Sequence, residues 1–434
     1  MDDTRSRGCP IRTISLEILL QIQQYLTTQE LGMLRLTCRS FETSLFHAYV
    51  NEFFGRMQFM MTEHSLQTLM DISNSRLGSH VRRVDFSIDR VMNFYDELND
   101  EKELMLREAY ASSFMLQHTG YHRDMMTAAF CNLPNLETVA IRDFDSQRRS
   151  REGMNRGWHS CGYMKAWDET GVQMGQGNAP EYYSQVFAAV LYALGATKGN
   201  LKGLEIMSRH FNHLRDFAFK IPKFMEPNVL PVLKGLEKLH LSLSLPWREQ
   251  SITISQTIPD LFIRKFLAHA NNIKDLRING IGTARDGVDH LFDWMIEDDG
   301  HLDGITFSMP KLEAFSLGTT SIDSARLYRL IAKFAPSLKR LDLWRVTMVQ
   351  HVPPGSPTTS RNVGSWKHFL NRLADMPDLE LKHFMMGNVM QKAQLDDALP
   401  ARLTFGGSNC TPEYRRDRGT WRTFIDEIRS QLKL

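Results

Sequence analysis

The sequence is poor in the features that mark many function classes. Its five cysteines, Cys9, Cys38, Cys131, Cys161 and Cys410, are scattered and odd in number, with no CxxC pair and no zinc-like spacing. A disulfide framework is therefore not the basis of the fold, and a reducing compartment is expected. Charge of one sign is not in excess: 52 Lys and Arg face 50 Asp and Glu, a net +2. No global field recommends nucleic acid or an anionic membrane as partner. Long hydrophobic runs are missing too. The most apolar stretch, VFAAVLYALGA at 186 to 196, falls short of the roughly 20 residues a membrane helix needs. The start, MDDTRSRGCP, lacks the apolar core of a signal peptide. The expectation is a soluble protein of the cytoplasm or nucleus.

Catalytic signatures are equally scarce. The sequence has no phosphate loop, dinucleotide fingerprint or GxSxG. His118 and His122 have i, i+4 spacing, but Gly120 lies between them and no HExxH pattern surrounds them. His159 and Cys161 are alternate neighbours on a loop without a third orienting group. His210 and His213 follow without a ligand partner in view. No catalytic residue, metal or cofactor is expected, and a cysteine enzyme built on Cys161 is set aside on the same grounds.

What the sequence does have is helices at its start. Taken as a helix, residues 16 to 26 spread Leu16, Ile18, Leu19, Leu20, Ile22, Tyr25 and Leu26 over an arc of about 220°. A helix packed on one core needs a stripe of only about 100°. A second apolar face therefore looks for a partner, either inside the protein or outside it. Next, Thr27 and Glu30 have capping-box spacing, with Leu31 and Leu34 behind them. A third helix carries Phe41, Leu45, Phe46, Tyr49, Val50, Phe53 and Phe54 on a single wide stripe.

From residue 81 a six-residue string recurs, apolar at positions one, four and six. The copies are VRRVDF (81), LETVAI (136), LKGLEI (201), LEKLHL (236), IKDLRI (273), LEAFSL (312), LKRLDL (338) and MPDLEL (376). Most are entered through Pro, Asn or Gly, and helical patterns lie between them at 181, 259, 288, 323 and 365. Strand alternating with helix implies parallel strands with helical crossovers. Stacked strands lie about 4.8 Å apart and helices about 10 Å, so such an array is expected to curve with its strands inside. The copies start 26 to 65 residues apart, against about 20 to 29 in ordinary leucine-rich repeats. Positions four and six should face the helices, and five and seven the inner surface. The tail WRTFIDEIRSQLKL suits a closing helix bearing Trp421, Phe424, Ile425, Ile428 and Leu432.

The opening segment, ISLEILLQIQQYLTTQELGMLRLTCRSF, resembles an F-box, with Ile14, Glu17, Ile18, Leu19, Ile22, Leu26, Leu31, Leu34, Cys38 and Phe41 in the family's places. Ser15 stands where the family has proline, and its hydroxyl is expected to cap the helix instead. The rest of the chain is similar to fungal F-box proteins with a C-terminal leucine-rich-repeat-like region. The resemblance implies an α/β fold: a three-helix F-box followed by an irregular right-handed leucine-rich-repeat-like solenoid. Residues 1–11 read as a disordered N-terminus, 12–56 as the F-box, and 57–80 as a connecting helix and loop. The solenoid takes 81–405, with a long loop at 142–180, and the capping tail 406–434.

The function so implied is that of a substrate-recognition subunit of a cullin-RING ubiquitin ligase, not itself an enzyme. Its adaptor-binding face would be Ile14, Ser15, Ile18, Leu19, Ile22, Leu26, Leu31 and Leu34, with cullin reached through the adaptor. An unknown target protein would be held by residues such as Arg142, Trp158, Arg277, Asn279, Trp344 and Arg345. Arg and Trp dominate binding hot spots, and Arg142, Arg148, Arg149, Arg151, Arg156, Trp158 and Trp167 cluster in the long loop. Trp344 is exposed if the repeat register holds and buried if it slips by one. The competing reading is a non-ligase binding scaffold whose altered F-box serves only as an N-terminal cap.

Overall fold

A computed structural model describes residues 14–91, 100–145, 159–172, 174–175, 180–197, 199–210, 213–245, 260–281, 287–297, 305–350, 364–393, 400–405, 413–416 and 421–433. The chain is α/β with mostly parallel strands, and it divides into two compact units, 1–177 and 178–434.

The first unit opens with α1 (Leu16–Gln23), α2 (Thr28–Thr37) and α3 (Arg39–Phe53). Leu19, Leu31, Phe41, Leu45 and Phe53 form their common core, with Ile14, Leu20, Leu26, Leu34, Cys38, Tyr49 and Phe54 packed around it. Fully burying a side chain of this size contributes about 1.5–3 kcal/mol. The capping box starts α2: Glu30 N–H donates to Thr27 Oγ1 at 3.3 Å, and Thr27 N–H donates to Glu30 Oε2 at 2.9 Å. Ser15 takes the N-cap place of α1 with an extended backbone, but its hydroxyl caps no helical N–H. Instead, the Glu17 carboxyl, held below its usual range, accepts from its own N–H and from the Ser15 hydroxyl. The expected hydroxyl cap is therefore replaced by a carboxylate in the first turn.

The chain continues as β1 (Arg56–Phe59), α4 (Glu63–Ser73), β2 (Arg83–Ser87), α5 (Asp100–His118), α6 (Tyr121–Cys131), β3 (Thr138–Arg142) and α7 (Tyr163–Thr170). β1 lies where the sequence suggested only a connection. Its string FGRMQF, from Phe54, has the same apolar positions as the other copies, and it pairs with β2 through Met57↔Val84 and Phe59↔Phe86. β2 pairs with β3 in the same register, Val84↔Val139 and Phe86↔Ile141. Phe86 meets Phe130 of α6 on the helical side, at 6.2 Å between ring centroids. β1 is flanked by residues 159–161: Cys161 N–H donates to Gln58 O at 2.8 Å, and Met60 N–H to Cys161 O at 3.3 Å. The long loop of the sequence reading thus contains a strand-like bridge and a helix.

The second unit comprises α8 (Pro180–Thr197), β4 (Gly203–Met207), α9 (Glu226–Gly235), β5 (Lys238–Ser242), α10 (Leu261–His269), β6 (Asp275–Asn279), α11 (Val288–Ile296), β7 (Ala314–Asp323), α12 (Ser324–Phe334), β8 (Arg340–Gln350) and α13 (Gly364–Ala374). It ends in β9 (His383–Gly387), β10 (Met390–Ala393), β11 (Ala401–Arg402), β12 (Thr404–Phe405), β13 (Glu413–Arg416), α14 (Trp421–Gln431) and β14 (Leu432–Lys433). β4 to β9 pair parallel in chain order, β10 also runs parallel to β8, and β13 joins β9 antiparallel. Trp421, Ile425 and Ile428 of α14 are buried; Leu432, expected on the same helix, is buried in β14, and the Phe424 side chain lies outside the described residues.

Each strand begins two residues into its copy, with one exception. MPDLEL at 376 is not a strand, and β9 instead comes from LKHFMM at 381, which has the same pattern. The register decides this: Leu341 and Leu343 pair with Phe384 and Met386. Positions four and six are buried throughout β2 to β9, and Phe315 at position four of β7 contacts Phe334 of α12 at 5.7 Å. Because in-register parallel strands set equal positions about 4.8 Å apart, charges line up across them. Position two pairs Arg82 with Glu137 (2.9 Å), Glu237 with Lys274 (3.1 Å) and Glu313 with Lys339 (2.7 Å). The Lys339 ammonium holds the exposed Glu313 carboxyl below its usual range.

Position eight has a geometry that the repeat pattern does not announce. Thr319, Arg345 and Asn388 all have left-handed backbones, with φ of 46°, 55° and 51°. They follow Gly318, Trp344 and Gly387, which sit side by side on β7, β8 and β9. Beyond them pairing resumes, Thr320 with Val346 and Met390 with Thr347. Three neighbouring strands therefore turn at one level. A β-branched or bulky residue in this region costs of order 1–3 kcal/mol and persists only where its surroundings enforce it.

Candidate functional site

Two kinds of surface are candidates: the sides of the first helices left outside their core, and, in each unit separately, the side of the strands away from the helices. On α1, Leu19 is buried and Leu20 is partly so, as is Leu26 beyond the helix end, which leaves the opposite side without a core. There Ile18 and Ile22, spaced i, i+4, are 47% and 39% exposed, and Tyr25, in the turn that follows because the helix ends at Gln23 and not at 26 as expected, is 88% exposed. On α2, Met33 and Leu36 are 55% and 85% exposed. Of the residues expected on the adaptor-binding face, Ile18, Ile22 and Ser15 are exposed, and Ile14, Leu26 and Leu34 are half-buried against the core. Leu19 and Leu31 are corrections: both are buried inside the three-helix core and cannot form an open face. The reason is angular, since Leu19 stands about 100° from Ile18 on the helix. Tyr25, Met33 and Leu36 were missed because the family pattern, not exposure, selected the positions.

The second surface is the side of the strands away from the helices. Most of it is not open. In the first unit Asp85 is fully buried and is held by Arg142 Nη1 (2.5 Å), Arg83 Nε (2.7 Å) and Arg56 Nε (2.9 Å). Arg142, expected to meet a target, is itself only 2% exposed, and its ring of contacts includes Phe144 at 4.3 Å and the carbonyl of Asp145 at 3.1 Å. Burial pushes its guanidinium below the usual range, as do Arg56 and Arg83, while Asp85 opposes them. Its role is to neutralise Asp85, because a buried carboxylate needs a partner. Trp158 and the arginines at 148, 149, 151 and 156 lie outside the described residues. Trp167 is exposed on α7.

In the second unit the acidic members of this face are already engaged. Glu205 meets Lys238 at 3.1 Å, and Asp275 meets His240 at 3.2 Å and Lys238 at 3.8 Å. The Asp275 carboxyl sits below its usual range: burial acts against this, and His240 and Lys238 outweigh it. Asp342 meets Arg340 (2.8 Å), His383 (2.9 Å) and the Ser316 hydroxyl (3.1 Å). Ser316 and His383 thus sit on different oxygens of one carboxylate, not against each other, and the imidazole is not placed to take the hydroxyl proton. Of the residues expected to meet a target, Arg277 and Asn279 are half-buried and Trp344 and Arg345 are exposed.

Trp344 is 36% exposed, which resolves the register in favour of the open face. Its indole lies over Gly387, where an added Cβ would stand 2.2 Å from ring carbons Cε3 and Cζ3. Asn279 likewise leans over Gly318, where a Cβ would meet its Oδ1 at 2.2 Å. The two glycines let an amide and an indole lie low against the strands.

The remaining sequence candidates have structural partners. His159 meets Asp145 at 3.0 Å and stacks on Tyr163. Burial pushes the Cys161 thiol up, away from thiolate character. His118 stacks on Phe114, and buried His122 bonds to the Leu116 carbonyl at 3.0 Å. No group of three potential metal ligands comes together among the described residues. No described helix is long and apolar enough to cross a membrane. The chain matches no protein-family model, and its comparison with curated proteins gives no match. Function must therefore be argued from these surfaces.

Proposed function

We propose that this chain is a substrate-recognition subunit of a cullin-RING ubiquitin ligase, an F-box protein with a leucine-rich-repeat-like solenoid. α1 to α3 dock on the ligase adaptor, and through it on cullin, while the repeating strands and helices hold a target protein. The observation that carries this is the pair of exposed apolar patches, Ile18 and Ile22 on α1 with Tyr25 in the turn after it, and Met33 and Leu36 on α2. Apolar side chains aligned at helical spacing outside a filled core fit a helix-in-groove or helix-bundle interface. The chain makes and breaks no bond itself. It raises the effective concentration of target lysines near the transfer site by tethering.

The test is purification of the tagged full chain from its native cells, with wild type compared to an Ile18→Asp/Ile22→Asp variant. Adaptor and cullin are expected with the wild type and not with the variant. Their absence from the wild type, with the protein folded, favours the scaffold reading, which the missing proline at Ser15 supports. Retention of the adaptor by the variant refutes the assigned face.

A further inference from the structure

The shelf formed by Asn279, Gly318, Trp344 and Gly387 has unspent binding capacity. These residues occupy position seven on four adjacent strands, one row across β6 to β9. Two flat groups lie along it, each over a glycine, and the indole is left with solvent on the side away from Gly387. The left-handed residues Thr319, Arg345 and Asn388 end the row at one level. Pairing resumes beyond them, so the row lies along a bend shared by three neighbouring strands.

Charge says what the row is suited to. Among the described residues of this face in the second unit, Glu205 has Lys238 at 3.1 Å, Asp342 has Arg340 at 2.8 Å, and Asp275 has His240 at 3.2 Å and Lys238 at 3.8 Å. The side chains of Arg277, Asn279 and Arg345 make no hydrogen bond or ion pair among the described residues. Arg277 feels Asp275 only electrostatically, and His240 and Lys238 hold that carboxylate more closely. The uncommitted groups are thus an indole face, a carboxamide and two guanidinium groups. An indole stacks flat residues, an amide matches a peptide bond, and guanidinium groups take carboxylates in bidentate fashion.

We infer that this shelf binds a short acidic peptide segment. A flat side chain, aromatic or proline, lies on Trp344, the Asn279 amide bonds the peptide backbone, and Arg277 and Arg345 meet flanking carboxylates. The inference rests on the reading of the second unit as the target-holding part, and it names the chemistry of the target.

The experiment is fluorescence anisotropy of the full chain with a labelled peptide alternating Asp or Glu with Phe, beside a control with Lys in place of the acids. The acidic peptide is expected to bind and to weaken as NaCl rises. Trp344→Ala and, separately, Arg277→Glu with Arg345→Glu should each weaken it about tenfold or more, the loss typical of hot-spot residues. Arg277→Ala with Arg345→Ala, changes at accessible side chains, serves as the milder pair should charge reversal disturb folding. Equal binding of both peptides, or binding that survives Trp344→Ala, overturns the inference. Capture of a native target that is indifferent to Trp344→Ala also overturns the shelf while leaving the receptor reading intact. Loss of the adaptor alone would strike that reading and leave the peptide result standing.

Discussion

Replacing Asp85 should show how the first unit tolerates charge in its interior. The carboxylate is fully buried and has three guanidinium partners, of which Arg142 is 2% exposed, Arg83 18% and Arg56 45% in their side chains. Arg56 can turn to water, so its share is that of a surface pair, about 0–1 kcal/mol. Arg142 cannot, and Asp85→Ala leaves it charged, buried and faced by two like charges. Breaking a buried pair in this way costs about 3–5 kcal/mol, a large share of the 5–15 kcal/mol that holds a typical domain. Urea unfolding of the full chain, read by hydrogen exchange of the β1, β2 and β3 amides, localises the loss to this unit. The double variant Asp85→Leu/Arg142→Met should recover most of it, since replacing both partners removes the desolvation cost with the charge. A loss under about 1 kcal/mol for the single variant, or no recovery in the double, refutes the assignment of Arg142 as the neutralising partner.

The Asp216 carboxyl, pushed up to about 6 by burial and by nearby Asp260, accepts from the N–H groups of Phe262 and Ile263 at the start of α10. A raised carboxyl means the folded form holds its proton more tightly, so stability falls as pH rises from about 4 to about 6 and then levels. Asp216→Asn keeps an acceptor and should flatten that fall, gaining about 2 kcal/mol at neutral pH and nothing below pH 4; parallel urea-midpoint curves for the two proteins would count against it. Gly387→Val should lift the Trp344 indole from the strand, costing about 1–3 kcal/mol by overpacking and changing tryptophan emission. Unchanged emission would mean the ring does not rest there. Leu31→Ala, inside the three-helix core, should cost about 2–5 kcal/mol in thermal unfolding, whereas Ile18→Asp at the open face should change stability by less than about 0.5 kcal/mol. Similar losses for the two would show that α1 has no free face.

Much of the strand–helix alternation was legible because apolar spacing alone carries it. Seven of the eight strings found by pattern contain strands. MPDLEL failed and LKHFMM replaced it because both satisfy the same spacing within a few residues, and only pairing with β8 chooses between them. FGRMQF went unseen because its first apolar residue also ends the stripe of α3. Arg142 misled for a related reason. An arginine on a strand looks the same in sequence whether it faces solvent or a buried aspartate 57 residues earlier.

The sequence by itself determined the alternation of strands and helices, the three amphipathic helices at the start and the capping box that begins the second. These depend on neighbours within a turn or two, and local spacing specifies them. Only the tertiary structure decided which side of α1 is filled, which charges are spent on one another, and that Trp344 lies open over Gly387 beside Asn279. The first depends on packing among three helices, and the others on residues brought together by strand register from positions about 25 to 110 apart in the chain; no local pattern encodes which of them will meet.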